Sequence, residues 1–286
     1  MKNINYFIQF CSVIFLYFLY KILGLRNSQK ISSNIFALFG PFFRSKKICE
    51  NNLSKAFPLM TEIEKKKIIK KMWINYGKIF SEYPFIKKFR MLETNKIISI
   101  ENHNLLEEIK ISKSPVVFIS GHFSNFELMA MSIEKFGIDL AAIYRPLNNK
   151  FLNPLMEKIR KNYICKKQVK KGVSGTREIL RYFKNGSSIA IMIDQRVSQG
   201  VKAEFFGHEA LTTTIPAQFV KKFNAKIIPV HIERCNNNHF KLKIHDEIKF
   251  DNDESILSIT LKLNKILENM ILKNPDQWIW THNRWK

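Results

Sequence analysis

The chain has 286 residues, with 47 Lys and Arg against 24 Asp and Glu, a formal charge of +23. That length fits one large domain or two small ones of roughly 100–200 residues each. The 45% hydrophobic and 25% charged fractions exclude general disorder, and 10 Gly with 9 Pro exclude a collagen-like or linker-dominated chain. So large a positive charge favours an anionic partner: nucleic acid, an anionic lipid surface or an acidic protein. Charge alone does not choose among them. Lys, Ile and Asn dominate throughout, as an AT-biased genome would produce, so part of the excess is compositional. The cysteines, Cys11, Cys49, Cys165 and Cys235, are far apart and form no C-x-x-C pair. That spacing speaks against a zinc site, a redox motif or a disulfide framework, and for a reducing compartment.

Residues 4–20, INYFIQFCSVIFLYFLY, are almost wholly apolar or aromatic. At 1.5 Å per residue the run spans about 25 Å, short of the ~30 Å hydrocarbon core. Extending it through Leu25 reaches the required length if Lys21 snorkels. Tyr6, Tyr17 and Tyr20 suit the two interfaces. No run of small residues follows to serve as a cleavage site. Lys21, Arg26, Lys30, Arg44, Lys46 and Lys47 follow the run and only Lys2 precedes it, which places the body of the protein in the cytoplasm. The alternatives are an amphipathic helix lying in the interface and a buried core helix. Spanning or lying in the interface puts the protein on a membrane, with residues 1–30 as the anchor.

Residues 31–95 read as helical, with a break at Ser54-Lys-Ala-Phe-Pro and a new helix opening at Thr61-Glu-Ile-Glu and running to about Lys78. Its Lys65-Lys66-Lys67 run is a solvated face or a contact for lipid headgroups. From residue 97 short apolar runs alternate with helical stretches. The expected strands are 97–100, 116–120, 140–144, 188–193, 225–233 and a pair within 240–250. The expected helices are 102–110, 126–136, 153–162, 175–183, 216–223 and 255–273. This alternation predicts an α/β fold, a mostly parallel sheet flanked by helices, as a single domain over 31–286. In such sheets chemistry gathers at the carboxyl ends of the strands.

After the strand VVFIS comes Gly121-His122-Phe123-Ser124-Asn125-Phe126-Glu127, then an apolar helix. Gly121 permits a tight exit, and Ser124 or Asn125 can cap the helix. Glu127 then falls in the first turn, facing His122. A carboxylate within reach fixes the imidazole tautomer and stabilises the imidazolium, and the imidazole can take a proton from a substrate hydroxyl. The free amides of the helix start suit an anion or a developing oxyanion. The remaining histidines are scattered, with no metal spacing, so no metal site is expected.

GHFSNFELMA resembles the active-site block of the bacterial lipid A biosynthesis acyltransferases, the lauroyl/myristoyl group within the wider H-x4-D/E acyltransferases. The resemblance runs over nearly the whole chain. It continues with Tyr144-Arg145-Pro146, Lys171-Gly172, Arg177, Asp194-Gln195, Phe205-Phe206-Gly207, Thr212–Pro216, Ile228-Pro229-Val230, Glu268 and the closing Trp278-Ile-Trp-Thr-His-Asn-Arg-Trp-Lys. It implies transfer of a fatty acyl chain from acyl carrier protein to a hydroxyl on an acyl chain of a phosphorylated lipid A precursor, at the cytoplasmic face of the inner membrane. His122 would deprotonate the hydroxyl and Glu127 would hold His122. No covalent acyl-enzyme and no cofactor are required.

Other blocks carry two readings each. Arg145 emerges at the same sheet edge as His122, as a substrate anion ligand or an ion pair within the edge. Asp194 either pairs Arg145 or Arg196 as scaffolding or touches substrate. Arg177 binds substrate phosphate or makes a structural pair. Asn125 is expected to contact substrate, and Arg284 is a further anion ligand. Phe123 and Phe126 wall an acyl tunnel or pack helix on sheet. Phe205-Phe206-Gly207 reads as core and turn. The tail tryptophans form an interfacial belt or a lid. Other lipid acceptors remain open: a lysophospholipid, an ornithine lipid or a phosphoinositol mannoside. A nucleic-acid-binding protein rests on charge alone, with no recognition signature, so no nucleic-acid partner is expected. A membrane scaffold that kept the fold without activity is countered by His122, Glu127 and Arg145 standing together.

Overall fold

The structure, a computed structural model, describes residues 2–43, 46–92, 97–235 and 239–286. Arg44, one of the basic residues that follow the apolar run, lies outside them. Helix α1 (Lys2–Phe43) is long and apolar enough to cross a membrane. It continues past residue 30 and bends at Gly24, where φ is 74°. Glycine suits that conformation because it has no Cβ. The bend frees carbonyls that the Ser28 hydroxyl reaches, 2.9 Å from Tyr20 O and 2.7 Å from Gly24 O. Before the bend Phe7, Phe15, Phe18 and Ile22 are exposed. After it the helix packs on α3 (Glu62–Glu82), where a side chain at Gly77 would strike the Ser32 carbonyl. Helix α2 (Lys46–Ala56) lies between them in the chain. Thr61 opens α3 with a capping box, its hydroxyl accepting from Glu64 N while Glu64 accepts from Thr61 N at 2.9 Å. A 3-10 turn, Tyr83–Phe85, and the short α4 (Ile86–Met91) lead into the sheet.

The seven-stranded sheet has the order β1-β9-β8-β2-β5-β3-β4. Its strands are β1 (Ile98–Glu101), β2 (Val117–Ser120), β3 (Leu140–Tyr144), β4 (Lys167–Lys170), β5 (Ser188–Met192), β8 (Ile227–Arg234) and β9 (Phe240–Ile244). The five from β8 to β4 are parallel, and β9 joins antiparallel to β8. Every residue of β2 is buried, the run expected for a strand covered on both faces. The covering helices are α5 (His103–Ser112), α6 (Glu127–Phe136), α7 (Leu152–Tyr163), α8 (Val173–Lys184), α9 (Ile215–Phe223) and α10 (Ile256–Lys273). A separate hairpin, β6 (Val201–Phe205) with β7 (His208–Thr212), turns through Phe206 and Gly207, both at positive φ.

Three elements differ from expectation. Strand β4 and the hairpin are additional, and residues 240–250 supply one strand plus a single bridge at Ile248 rather than a pair. The tail is neither an interfacial belt nor a lid. Trp278 and Trp280 are buried, their indoles donating to Asp194 Oδ2 at 2.9 Å and Pro275 O at 2.6 Å.

Two histidines, the buried His231 and the half-buried His282, give a stability signature. Burial, then the charge of His245, holds His231 down to about 3. Burial holds His282 down to about 4. Both are neutral in the fold and titrate near 6.5 when unfolded. The unfolded chain therefore binds more protons below pH 6.5, so stability is full above that pH and falls as pH drops toward these values. Thermal unfolding of detergent-solubilised protein between pH 7 and 4.5 should show a falling midpoint. His231→Leu should flatten the slope, and an unchanged slope would contradict this account.

Candidate active site

The residues just past the carboxyl ends of β2, β5, β3 and β4 are His122, Asp194, Arg145 and Lys171. Those strands are consecutive neighbours in the sheet, about 4.8 Å apart. Side chains remote in sequence therefore stand in one row.

Gly121 makes the exit from β2. A Cβ there would lie 2.9 Å from the Phe123 ring and 3.0 Å from Leu267. The loop after it is pinned from several sides. Ser124, at φ 44°, donates its N–H to Gln277 O at 2.8 Å. Asn125 Nδ2 donates to Glu82 Oε2 at 2.7 Å. Phe126 meets the His122 ring edge-on, with centroids 4.7 Å apart. Helix α6 then begins at Glu127 without a side-chain cap, so neither Ser124 nor Asn125 fills that expected role.

Asp194 is buried. Its Oδ1 lies 2.8 Å from His122 Nδ1, and its Oδ2 accepts from the His122 backbone N–H at 2.7 Å and from Trp278 Nε1 at 2.9 Å. Burial alone would raise the carboxyl pKa. The His122 charge and donors and the Trp278 N–H outweigh it, and Asp194 titrates below its usual value. A carboxylate on Nδ1 keeps the proton there and leaves Nε2 its lone pair.

Glu127 occupies a different cluster. Its Oε1 accepts from Tyr83 Oη at 2.6 Å and from Arg160 Nε at 2.9 Å and Nη2 at 2.6 Å. Burial, then the Glu127 charge, pushes the Tyr83 phenol far up. Burial by itself would lower Arg160, but the Glu127 charge reverses this and holds the guanidinium firmly protonated. The expectation that Glu127 holds His122 is therefore corrected to Asp194. The start of α6 aims Glu127 at the 3-10 turn and α7, where a buried carboxylate needs a cation, and strand pairing has already set Asp194 at Nδ1.

The other expected residues divide into two groups. Arg145 and Arg177 are exposed and make no salt bridge among the described residues. Beside Arg145 stands Lys171, whose pKa is lowered by burial and then by the Arg145 charge. Asn125 and Arg284 turn inward. Asn125 is 1% exposed, and its Oδ1 has no partner among the described residues. Arg284 is 0% exposed, donating to Leu211 O at 2.8 Å and Thr212 Oγ1 at 2.6 Å and lying over the Phe205 ring. Both are buried and bind the protein's own groups. Asp194 pairs with neither Arg145 nor Arg196. Phe123 is fully buried against His231, so it packs the core. Sequence reasoning missed Tyr83, Arg160 and the pairing of Asp194. The available signal for Arg160 was its place one turn after Met156, the buried residue of α7.

The chain matches the family described as bacterial lipid A biosynthesis acyltransferase over residues 1–286. It is 23% identical over 264 residues to the lipid A biosynthesis palmitoleoyltransferase of Escherichia coli K12, covering 90% of this chain and 84% of that one. It is 24% identical over 244 residues to a lipid A biosynthesis acyltransferase of Haemophilus influenzae, covering 84% and 76%. With the lipid A biosynthesis lauroyltransferase of Escherichia coli K12 it shares 23% over 259 residues, covering 85% and 79%. On the strength of that full-length match, the chain belongs to the bacterial lipid A biosynthesis acyltransferases and is an acyltransferase.

Proposed function

We propose that the protein moves a fatty acyl chain from the thioester of acyl carrier protein to a hydroxyl on an acyl chain of a phosphorylated lipid A precursor, at the cytoplasmic face of the inner membrane. The observation that carries this reading is the His122–Asp194 pair, standing at one sheet edge beside Arg145 and Lys171, which form no salt bridge among the described residues. A base next to a positive strip suits an acceptor that carries both a hydroxyl and a phosphate.

In the proposed reaction His122 Nε2 takes the proton of the acceptor hydroxyl as its oxygen attacks the thioester carbonyl. Asp194 stabilises the resulting imidazolium. The tetrahedral intermediate collapses to the new ester, the C–S bond breaks, and the carrier thiolate takes the proton back from His122. Atoms and charge balance with no added cofactor. Arg145, Lys171 and Arg177 hold the acceptor phosphate. Glu127 positions Arg160 and Tyr83 beside the loop, so its effect on turnover passes through them. The apolar part of α1 holds the site at the membrane. Phe7 and Phe10 pack on Phe151, and Asn149 Nδ2 donates to Tyr6 O at 2.8 Å, which ties the anchor to the loop after β3.

The test is an acyl-transfer assay over a panel of carrier thioesters and lipid acceptors, read by mass spectrometry. The expected product is a lipid A precursor heavier by one acyl chain, and transfer only to another lipid would overturn the acceptor. His122→Ala and Asp194→Asn should each lower kcat by about 10²–10⁴ with the thermal unfolding midpoint retained. Near-wild-type turnover of either would refute the dyad. Arg145→Gln with Lys171→Gln should raise KM for the phosphorylated acceptor about ten-fold and leave KM for a dephosphorylated one unchanged. Equal effects on both would remove the phosphate role.

A further inference from the structure

A cleft of about 310 Å³ opens between the second half of α1 and α3, at the first turn past the bend in the anchor. Arg26 and Lys30 line it from α1, and Ile74 and Lys78 from α3. None of the three cations makes a salt bridge among the described residues. Burial, and then the charge of Arg234, holds the Lys78 ammonium below its usual value against the opposing pull of the buried Glu82 carboxylate. The face continues along α3. Lys67, Lys70, Ile74 and Lys78 recur at helical spacing, and Lys67 and Lys70 are exposed and likewise form no salt bridge among the described residues. From Lys67 to Lys78 the stripe is about 16 Å long at 1.5 Å per residue, roughly three turns. A basic stripe of that length with an isoleucine midway fits one amphipathic acidic helix.

The exposed apolar residues lie on a different side of α1. Ile31, Ile35, Leu38, Phe39 and Phe42 are exposed and form one apolar stripe past the bend. At 100° per residue, Arg26 and Lys30 lie roughly 140° around the helix from it. With the apolar stripe in the interface, the basic cleft faces a partner that arrives through water. The cleft is also wired to the active site. Gln29 in its wall donates Nε2 to Glu82 Oε1 at 2.6 Å, and Glu82 Oε2 accepts from Asn125 of the catalytic loop.

We propose that this α1–α3 cleft is the docking surface for an acidic helix of the carrier protein that delivers the acyl thioester. The proposal rests on the reading of a carrier-borne thioester as the donor. The charges guide and hold the carrier, and its prosthetic arm enters the neighbouring site. Docking strength therefore appears in KM for the carrier and in its salt dependence, not in the chemistry.

The test uses full-length protein in nanodiscs with two donors carrying the same acyl chain: the acyl carrier thioester and the uncharged acyl-pantetheine thioester. The variants are Arg26→Glu with Lys30→Glu, Lys67→Glu with Lys70→Glu, and the charge-conserving Lys67→Arg with Lys70→Arg. Each reversed pair should raise KM for the carrier thioester about ten-fold or more, leave kcat unchanged and flatten the salt dependence of KM. Kinetics with acyl-pantetheine should not move, and the arginine pair should behave as wild type. An unchanged carrier KM would overturn the proposal, as would equal losses with both donors. Loss of binding to phosphatidylglycerol vesicles with an unchanged carrier KM would assign the cleft to lipid headgroups instead. Wild-type protein that uses acyl-pantetheine but no carrier thioester would refute the donor itself, and the docking surface with it.

Discussion

The buried carboxylate of Asp194 is the point from which the site is built. It accepts three N–H groups, from the His122 ring, the His122 backbone and Trp278, so its desolvation is answered on both oxygens. The donors come from two distant parts of the chain: the exit loop after β2 and the C-terminal tail. The tail is consequently drawn into the core. Trp280 follows Trp278 inward, the Asn52 amide binds the Trp280 and His282 carbonyls, and Arg284 closes on the β7 backbone. A single buried carboxylate thus orders the His122 imidazole and the Trp278 indole together.

A second buried carboxylate links that site to the membrane. Glu82 at the end of α3 is 0% exposed and receives Arg234 Nη1 and Nη2, at 2.6 and 3.0 Å, together with Gln29 of α1 and Asn125 of the loop after β2. Removing one partner of such a pair leaves an uncompensated buried charge, at about 3–5 kcal/mol. The anchor helix is therefore more than a tether. Its polar face past Gly24 belongs to the same hydrogen-bonded body that holds the loop bearing His122.

The parallel α/β architecture was legible in the sequence because its central strands are uniformly apolar, as in VVFIS, LAAIY and IAIMI. What was missed lies at the margins. Lys167–Lys170 is a polar edge strand, half exposed, and the β6–β7 hairpin alternates Lys202, Glu204, His208 and Glu209 outward, so neither shows a long apolar run. His122 was legible from its place after a buried strand. Its partner was not, because a motif read along the chain favours the near carboxylate, Glu127, whereas the pairing of β2 with β5 brings in one 72 residues away. Strand order is a tertiary fact that local spacing does not carry. The tryptophan-rich tail reads as an interfacial belt or a lid, since indoles favour interfaces. Here each finds a buried acceptor, which lets it enter the core.

The central claim is that Asp194, and not Glu127, holds the His122 imidazole with its proton on Nδ1. Nitrogen-15 NMR of histidine-labelled protein in nanodiscs at neutral pH reads this directly. The account predicts a His122 ring with a protonated Nδ1, a non-protonated Nε2 and a downfield Nδ1 proton. That signature should survive Glu127→Gln and be lost in Asp194→Asn. A His122 signature that survives Asp194→Asn and collapses in Glu127→Gln would contradict it.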